Sequence, residues 1–258
     1  MSHVLDQEKD NMPGTLYLIP NTLGAPETAG LAAVLPPQVQ AIAAGLDYFI
    51  VENAKTARAF LKQVGASTPL SRPMQEIRMA ELHVNTEAAA LPALLAPLLD
   101  GQDGGLISEA GVPAVADPGA NLVRLAHERG VPVRPLVGPS SLLLAVMASG
   151  LNGQSFAFHG YLPVEAGARA KRIRQLEERS RLERQTQFFI ETPYRNTALL
   201  EALIAACQPQ TLLCVATDLT LPSETIRTRS VAAWKAALAA DDMPDLHKKP
   251  TVFLFLAC

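Results

Sequence analysis

Extended and helical apolar patterns alternate along almost the whole chain, and that alternation restricts it to the α/β folds. Residues 15–19, stopped by Pro20, read as a first strand and residues 46–51 as a second. Residues 53–64 carry Ala57, Phe60, Leu61 and Val64 on one helical face and Lys55, Arg58 and Lys62 on the other, the pattern of a helix that buries one side. Residues 86–99 read as a helix that tolerates Pro92 and Pro97, and residues 105–108 as a short buried strand. Residues 121–129 form a helix ended by Gly130, residues 131–137 a strand, and residues 140–149 an apolar helix ended by Gly150. Glycine is the usual stop after a last helical turn. Strands separated by helices imply a mainly parallel sheet with helices on its faces.

Residues 151–163 interleave Gly, Asn and Pro with aromatics and read as a domain junction. A second α/β unit follows. Its expected helices are 168–182, 196–206 and 231–240, and its expected strands 186–190, 212–216, 224–229 and 251–257. The predicted domains are therefore 12–150 and 151–258. With 258 residues, each half is long enough to bury a core of its own.

Composition excludes several classes. A net charge of −3 argues against coating nucleic acid through bulk charge. No apolar run is long enough to span a bilayer, and the polar, acidic start at residues 1–11 is not a secretory signal. Cys207, Cys214 and Cys258 have no framework spacing, which fits a reducing compartment and a cytoplasmic location. The five histidines are scattered and there is no Cys-x-x-Cys pair, so no metal site is expected.

In open parallel sheets ligands bind beyond the carboxyl ends of the strands, which directs attention to two strand-to-helix loops. The first is Ser108-Glu109-Ala110-Gly111-Val112-Pro113-Ala114-Val115-Ala116-Asp117-Pro118-Gly119. Its glycines allow close backbone approach, and its prolines limit its freedom before a ligand arrives. Asp117 is placed to cap the next helix or to accept a ligand hydroxyl. The second loop is Val137-Gly138-Pro139-Ser140-Ser141, whose backbone amides could receive a carboxylate or ribose. Neither loop is a Walker or Rossmann phosphate loop. The helix around Arg169–Arg184 alternates arginine with Glu177, Glu178 and Glu183, which reads as a solvated, ion-paired face rather than a phosphate-binding one. Trp234, Tyr194, Phe188 and Phe189 read as packing residues.

At these loops the sequence resembles the tetrapyrrole methylase superfamily, the class III S-adenosylmethionine-dependent methyltransferases. Within it, the resemblance is to the group of small-subunit rRNA ribose 2′-O-methyltransferases. The family's Ser-Asp-Ala-Gly-x-Pro…Asp-Pro-Gly loop appears as residues 108–119 with Glu109 for Asp. Its Pro-Gly-Pro-Ser turn appears as Val137-Gly138-Pro139-Ser140. Its junction appears as Ser149-Gly150-Leu151 followed by Phe156-Ala157-Phe158-His159-Gly160-Tyr161-Leu162-Pro163. Its Tyr-Glu-Ser-Pro-His-Arg segment appears as Ile190-Glu191-Thr192-Pro193-Tyr194-Arg195, and Glu-Leu-Thr…Glu as Asp218-Leu219-Thr220 with Glu224. The sequence departs from the family early. Ile19-Pro20-Asn21-Thr22-Leu23-Gly24 is followed by Ala25 in place of asparagine, and Glu52-Asn53-Ala54-Lys55-Thr56-Ala57-Arg58 lacks the family's aspartate.

The resemblance implies two domains, a parallel-rich N-terminal sheet and a mixed C-terminal one, holding S-adenosylmethionine between them. It implies cofactor contacts from Ser108, Glu109, Ala110, Gly111, Val112, Asp117, Gly138, Pro139, Ser140 and Ser141, and from Pro163, Glu191, Thr192 and Pro193 in the second domain. Acceptor contacts fall to Asn21, Thr22, Leu23, Gly24, Asn53 and Arg58, with Glu52 as the candidate base. The implied partners are rRNA or the small ribosomal subunit and a second copy of the chain in a homodimer. A tetrapyrrole or other small acceptor, or a non-catalytic homologue that binds cofactor or RNA, remains open as an alternative.

Overall fold

The computed structural model describes residues 12–24 and 30–257. The readings of residues 1–11, Ala25 and Cys258 lie outside it. The described chain divides into two compact units, residues 12–22 with 30–139 and residues 23–24 with 140–257.

The first unit is a doubly wound parallel sheet. Its strands are β1 (Leu16–Leu18), β2 (Tyr48–Val51), β3 (Arg78–Glu81), β4 (Gly104–Ile107) and β5 (Val133–Pro135), in the spatial order β3-β2-β4-β1-β5 with every pairing parallel. Its helices are α1 (Pro37–Gly45), α2 (Ala54–Ser67), α3 (Leu91–Leu99) and α4 (Ala120–Glu128). The pleat of β2 sorts the core. Phe49 and Val51 join Val39, Ala43, Phe60, Leu61 and Val64 of α1 and α2, whereas Tyr48 and Ile50 join Leu91, Leu95, Leu98, Leu122 and Ala126 of α3 and α4. Two helices therefore cover each face, and every residue of β2 is buried.

Three features of this unit differ from the sequence reading. Helix α1 and strand β3 were not foreseen. Helix α1 is built from Pro, Gln, Ala and Gly beside few large apolar residues, and β3, at the sheet edge, has the exposure pattern of an edge strand rather than an apolar run. The helix expected over 86–99 begins as a 3₁₀ turn at Ala88–Ala90 and is α-helical only from Leu91. Pro92 then stands in the first helical turn, where its missing N–H leaves no bond unmade.

Strand β4 opens with two glycines because its surroundings leave no room. A Cβ on Gly105 would stand 2.6 Å from Ile19 Cδ1 and 2.9 Å from Phe49 Cδ1. Gly105→Ala is expected to destabilise the protein by about 1–3 kcal/mol through overpacking, read as a lower urea midpoint at unchanged slope.

The second unit holds a mixed sheet of β6 (Phe156–Tyr161), β7 (Thr186–Ile190), β8 (Leu212–Thr217), β9 (Thr225–Ser230) and β10 (Thr251–Leu256), in the order β6-β7-β10-β8-β9. Only β6 and β7 run parallel; the other pairings are antiparallel. Its helices are α5 (Ser141–Ser149), α6 (Ala166–Glu183), α7 (Asn196–Ala206) and α8 (Val231–Ala239). Helix α5 belongs to this unit rather than to the first, because Ala145 and Val146 are buried against Phe188, Cys214, Ala216 and Leu254 of the mixed sheet. The stretch read as a junction contains β6 itself, with its register shifted between Phe158 and Tyr161 around Gly160, whose φ is +62°. Phe188, Phe189 and Trp234 are core residues as expected. Tyr194 is not: it is 74% exposed. Helix α6 has an ion-paired face, with Arg179 on Glu183 and Arg181 on Glu178, but Glu177, read with that face, is buried beside Ile173, Leu176 and Ser180 and accepts from Gln208 N–H (2.7 Å) and Thr211 Oγ1 (2.5 Å).

Candidate functional site

From β1 the chain proceeds to β2 on the far side of β4, and from β4 it proceeds to β5 on the far side of β1. The two central strands thus send their following loops to opposite faces, and the switch point between them opens a crevice. The loop after β1 and the loop after β4 are tied there. Asn21 N–H donates to Gly111 O (2.8 Å) and Gly111 N–H donates to Thr22 O (3.2 Å). The buried Asn21 side chain donates to Ser108 O and Glu109 O (3.3 and 3.1 Å) and accepts from Thr22 N–H (2.8 Å). Asn21 therefore fastens two loops together, and its amide is already committed.

Three carboxylates meet at this end of the sheet. Glu52 follows β2, and its Oε2 accepts from Glu109 N–H at 3.3 Å. Glu109 Oε1 accepts from Thr56 Oγ1 at 3.4 Å. Asp117 is hydrogen-bonded to the buried Ser108 and has its pKa pushed up to about 6 by burial first, then by the charge of Glu52, with a smaller push from Glu109. Burial and like charges both disfavour the ionised form. Thr56 belongs to this cluster and was not singled out from the sequence; its place in the Glu52-to-Arg58 segment was the available signal.

The loop itself is over-determined. Gly111 and Gly119 have φ of +66° and +135°, and Ala114 and Ala116 adopt left-handed φ of +65° and +64°. Non-glycine residues occupy that region at a cost and tend to do so at functional sites. Beyond β5, a Cβ on Gly138 would meet Pro20 Cβ at 2.3 Å, so this turn can pass the end of β1 only as glycine. Asn53 caps α2 by accepting from Lys55 N–H at 2.9 Å, and Arg58 is exposed on α2.

In the second unit, Ser140 precedes and Ser141 begins α5, and no side chain caps the helix start. Pro163 is exposed beyond β6. Glu191 lies at the end of β7 with its side chain 1% exposed, accepting from Thr192 N–H (2.6 Å) and from Arg195 Nη2 (2.6 Å) and Nε (3.1 Å). Its Oε1 is thus committed to holding its own turn. Leu23 packs against the core of this unit, and a Cβ on Gly24 would stand 2.6 Å from Leu221 Cδ2. Among the described residues no helix is long and apolar enough to cross a membrane, and no three His, Cys, Asp or Glu are grouped to hold a metal ion.

A doubly wound parallel sheet followed by a mixed five-stranded sheet is the architecture of the class III methyltransferases. The fold is similar to the solved structure of the methyltransferase CobJ (TM-score 0.59, 19% identity, 95% of both chains covered). It is also similar to cobalt precorrin-4 methyltransferase CbiF (TM-score 0.56, 14% identity, 94% of both chains covered). At that identity the likeness concerns the fold. Residues 24–233 match the family Tetrapyrrole (Corrin/Porphyrin) Methylases, and the chain belongs to that family. It is 30% identical over 236 residues to "Ribosomal RNA small subunit methyltransferase I" of Escherichia coli O157:H7, covering 92% of this chain and 76% of that one. The like-named protein of Mesorhizobium japonicum is 33% identical over 229 residues, covering 89% of this chain and 71% of that one. The chain is an S-adenosylmethionine-dependent methyltransferase.

Proposed function

We propose that this enzyme methylates a ribose hydroxyl of small-subunit ribosomal RNA, using S-adenosylmethionine. The observation that carries the substrate reading is that relatives named for that RNA match about nine-tenths of the chain. The first unit fits the cofactor on chemical grounds. S-adenosylmethionine would supply a methyl made electrophilic by its sulfonium, and a cation suits a cluster of Glu52, Glu109 and Asp117 in which burial first, and the neighbouring carboxylates second, raise the pKa of Asp117 to about 6. The backbone of Ser108, Glu109, Ala110, Gly111 and Val112 would line the methionine and ribose portions. Gly138, Ser140 and Ser141 would present backbone N–H groups, which Pro139 lacks, and Pro163, Thr192 and Pro193 are the further residues that the family resemblance assigns to the cofactor. Glu191 acts here by fixing the turn that carries Thr192 and Pro193. Asn21 positions the loops, and Thr22, Leu23, Gly24, Asn53 and Arg58 are the acceptor-side residues.

For the proton of the acceptor hydroxyl, Asp117 is better qualified than Glu52. A general base is most effective when its pKa lies near the working pH, and Asp117 is the carboxylate whose affinity for protons is raised. Glu52 contributes the charge that helps raise it. The reading also carries a cytoplasmic location, where ribosomal subunits are found, and a homodimer, which light scattering would report.

The test is methyl transfer from labelled S-adenosylmethionine to undermethylated small subunits, with nuclease mapping of the product. Label in a base, or none in RNA, would overturn the reading. Affinity for the cofactor is expected to depend on pH in a defined direction. Protonation of Asp117 removes an attractive charge, so the Kd of S-adenosylmethionine should rise about fivefold as pH falls through 6, the size of one screened charge interaction. S-adenosylhomocysteine, without the sulfonium charge, should change less. Equal pH dependence of the two, measured calorimetrically, would contradict an electrostatic role for the cluster.

A further inference from the structure

The exposed ring of Tyr194 stands in a setting that the cofactor reading does not use. It lies in the turn between β7 and α7, and the Lys248 ammonium sits 6.0 Å from its centroid. The His247 ring meets it edge-on, with centroids 6.4 Å apart and 79° between the planes. A cation near a tyrosine face at that separation is attracted to it, and a tyrosine 74% exposed as a residue still offers apolar surface to a ligand.

The platform is built by two converging loops. Lys248 N–H donates to Pro193 O at 3.3 Å. The wholly buried Asn196 donates through Nδ2 to Lys249 O (2.7 Å), with longer contacts to Thr251 Oγ1 (3.3 Å) and Leu246 O (3.4 Å). Asp245 accepts from His247 N–H (3.0 Å) and pairs with the Lys249 ammonium (3.1 Å). Lys248 itself has a left-handed φ of +58°. A β-carbon makes that conformation costly, and it persists where surrounding bonds impose it. The charges are sorted as well. Arg195 is paired with Glu191 and Lys249 with Asp245, while Lys248, among the described residues, has no carboxylate partner.

An accessible aromatic face beside an ammonium without a carboxylate partner is the chemistry that receives an unpaired nucleotide: the base stacks on the ring and the cation takes the phosphate. We infer that Tyr194, His247 and Lys248 form a stacking platform for a single-stranded nucleotide of the RNA acceptor. The inference rests on the ribosomal RNA reading for the identity of the polymer. Sequence pointed the other way, reading Tyr194 as a packing residue, whereas the structure leaves it 74% exposed.

The test uses the full chain and a single-stranded RNA oligonucleotide carrying one fluorescent purine analogue, with S-adenosylhomocysteine titrated into every variant as a control for folding. Wild type is expected to bind and quench the analogue. Tyr194→Ala should weaken binding about tenfold and abolish the quenching, Tyr194→Phe should retain both, and Lys248→Ala should lower the salt dependence by about one phosphate contact. If wild type binds the oligonucleotide and Tyr194→Ala binds it equally well, the platform is overturned and the RNA reading stands. If wild type binds S-adenosylhomocysteine but no oligonucleotide, the platform falls, and methyl transfer to small subunits decides the RNA reading separately. Binding that depends on Tyr194, with no methyl transfer to small subunits, keeps the platform and removes the substrate reading.

Discussion

Trp234→Ala is expected to cost about 3–5 kcal/mol, the range for deleting a fully buried aromatic side chain. The ring is 0% exposed and belongs to the core formed with Leu199, Leu203, Leu213, Val231 and Phe253. Its Nε1 donates to Leu213 O at 2.8 Å, and the Arg229 guanidinium lies 5.3 Å from its centroid. Truncation therefore empties a large volume and removes a buried donor at once. Trp234→Phe separates the two effects, since it retains most of the apolar contact and forfeits the hydrogen bond, for about 1–2 kcal/mol. Trp234 is the only tryptophan. In the wild type its fluorescence follows the second unit alone, whereas circular dichroism follows both, so non-coincident transitions would show the units unfolding separately. For the variants, circular dichroism and hydrogen exchange replace fluorescence. A loss below 1 kcal/mol for Trp234→Ala would mean that the core collapses around the gap.

The parts legible from sequence are those whose cause is local. Strands β2 and β10 are apolar runs because both faces of each are covered, and α2 announces itself through Ala57, Phe60, Leu61 and Val64. Helix α1 was hidden because a glutamine serves it as a buried residue: Gln40 donates to Leu35 O at 3.0 Å and accepts from Ser67 Oγ at 3.1 Å. Strand β6 was hidden because Gly160 interrupts its alternation with a bulge. The site divides in the same way. The loop of residues 108–119 could be found because it follows a strand, carries Gly and Pro, and matches a family motif. The commitment of Asn21 to Ser108 and Glu109 could not, because those partners lie 87 and 88 residues away. The raised proton affinity of Asp117 has the same origin, since Glu52 is brought to it only by the sheet order β2-β4-β1.

Asp117→Asn is expected to reduce methyl transfer about a hundredfold or more, the range lost with a general base, while S-adenosylhomocysteine affinity changes only a fewfold. Asparagine keeps the size of the side chain and a hydrogen-bonding oxygen for Ser108, so a folding defect would not mimic the result. The pH profile gives the sharper discrimination. A base must be unprotonated to act, so wild-type kcat/KM should fall as pH drops through about 6, the value to which Asp117 is raised. Glu52→Gln removes one of the two carboxylate charges that push it there, so the same limb should move to lower pH with the residue still present. The stability effect has the opposite sense to that of an ion-paired carboxylate. Because the folded-state pKa lies above the ordinary 3.8, the native state loses stability as pH rises between those two values, and Asp117→Asn should abolish that loss. If Glu52→Gln instead eliminates activity at every pH and Asp117→Asn leaves the acid limb in place, then Glu52 is the base and Asp117 serves the cofactor.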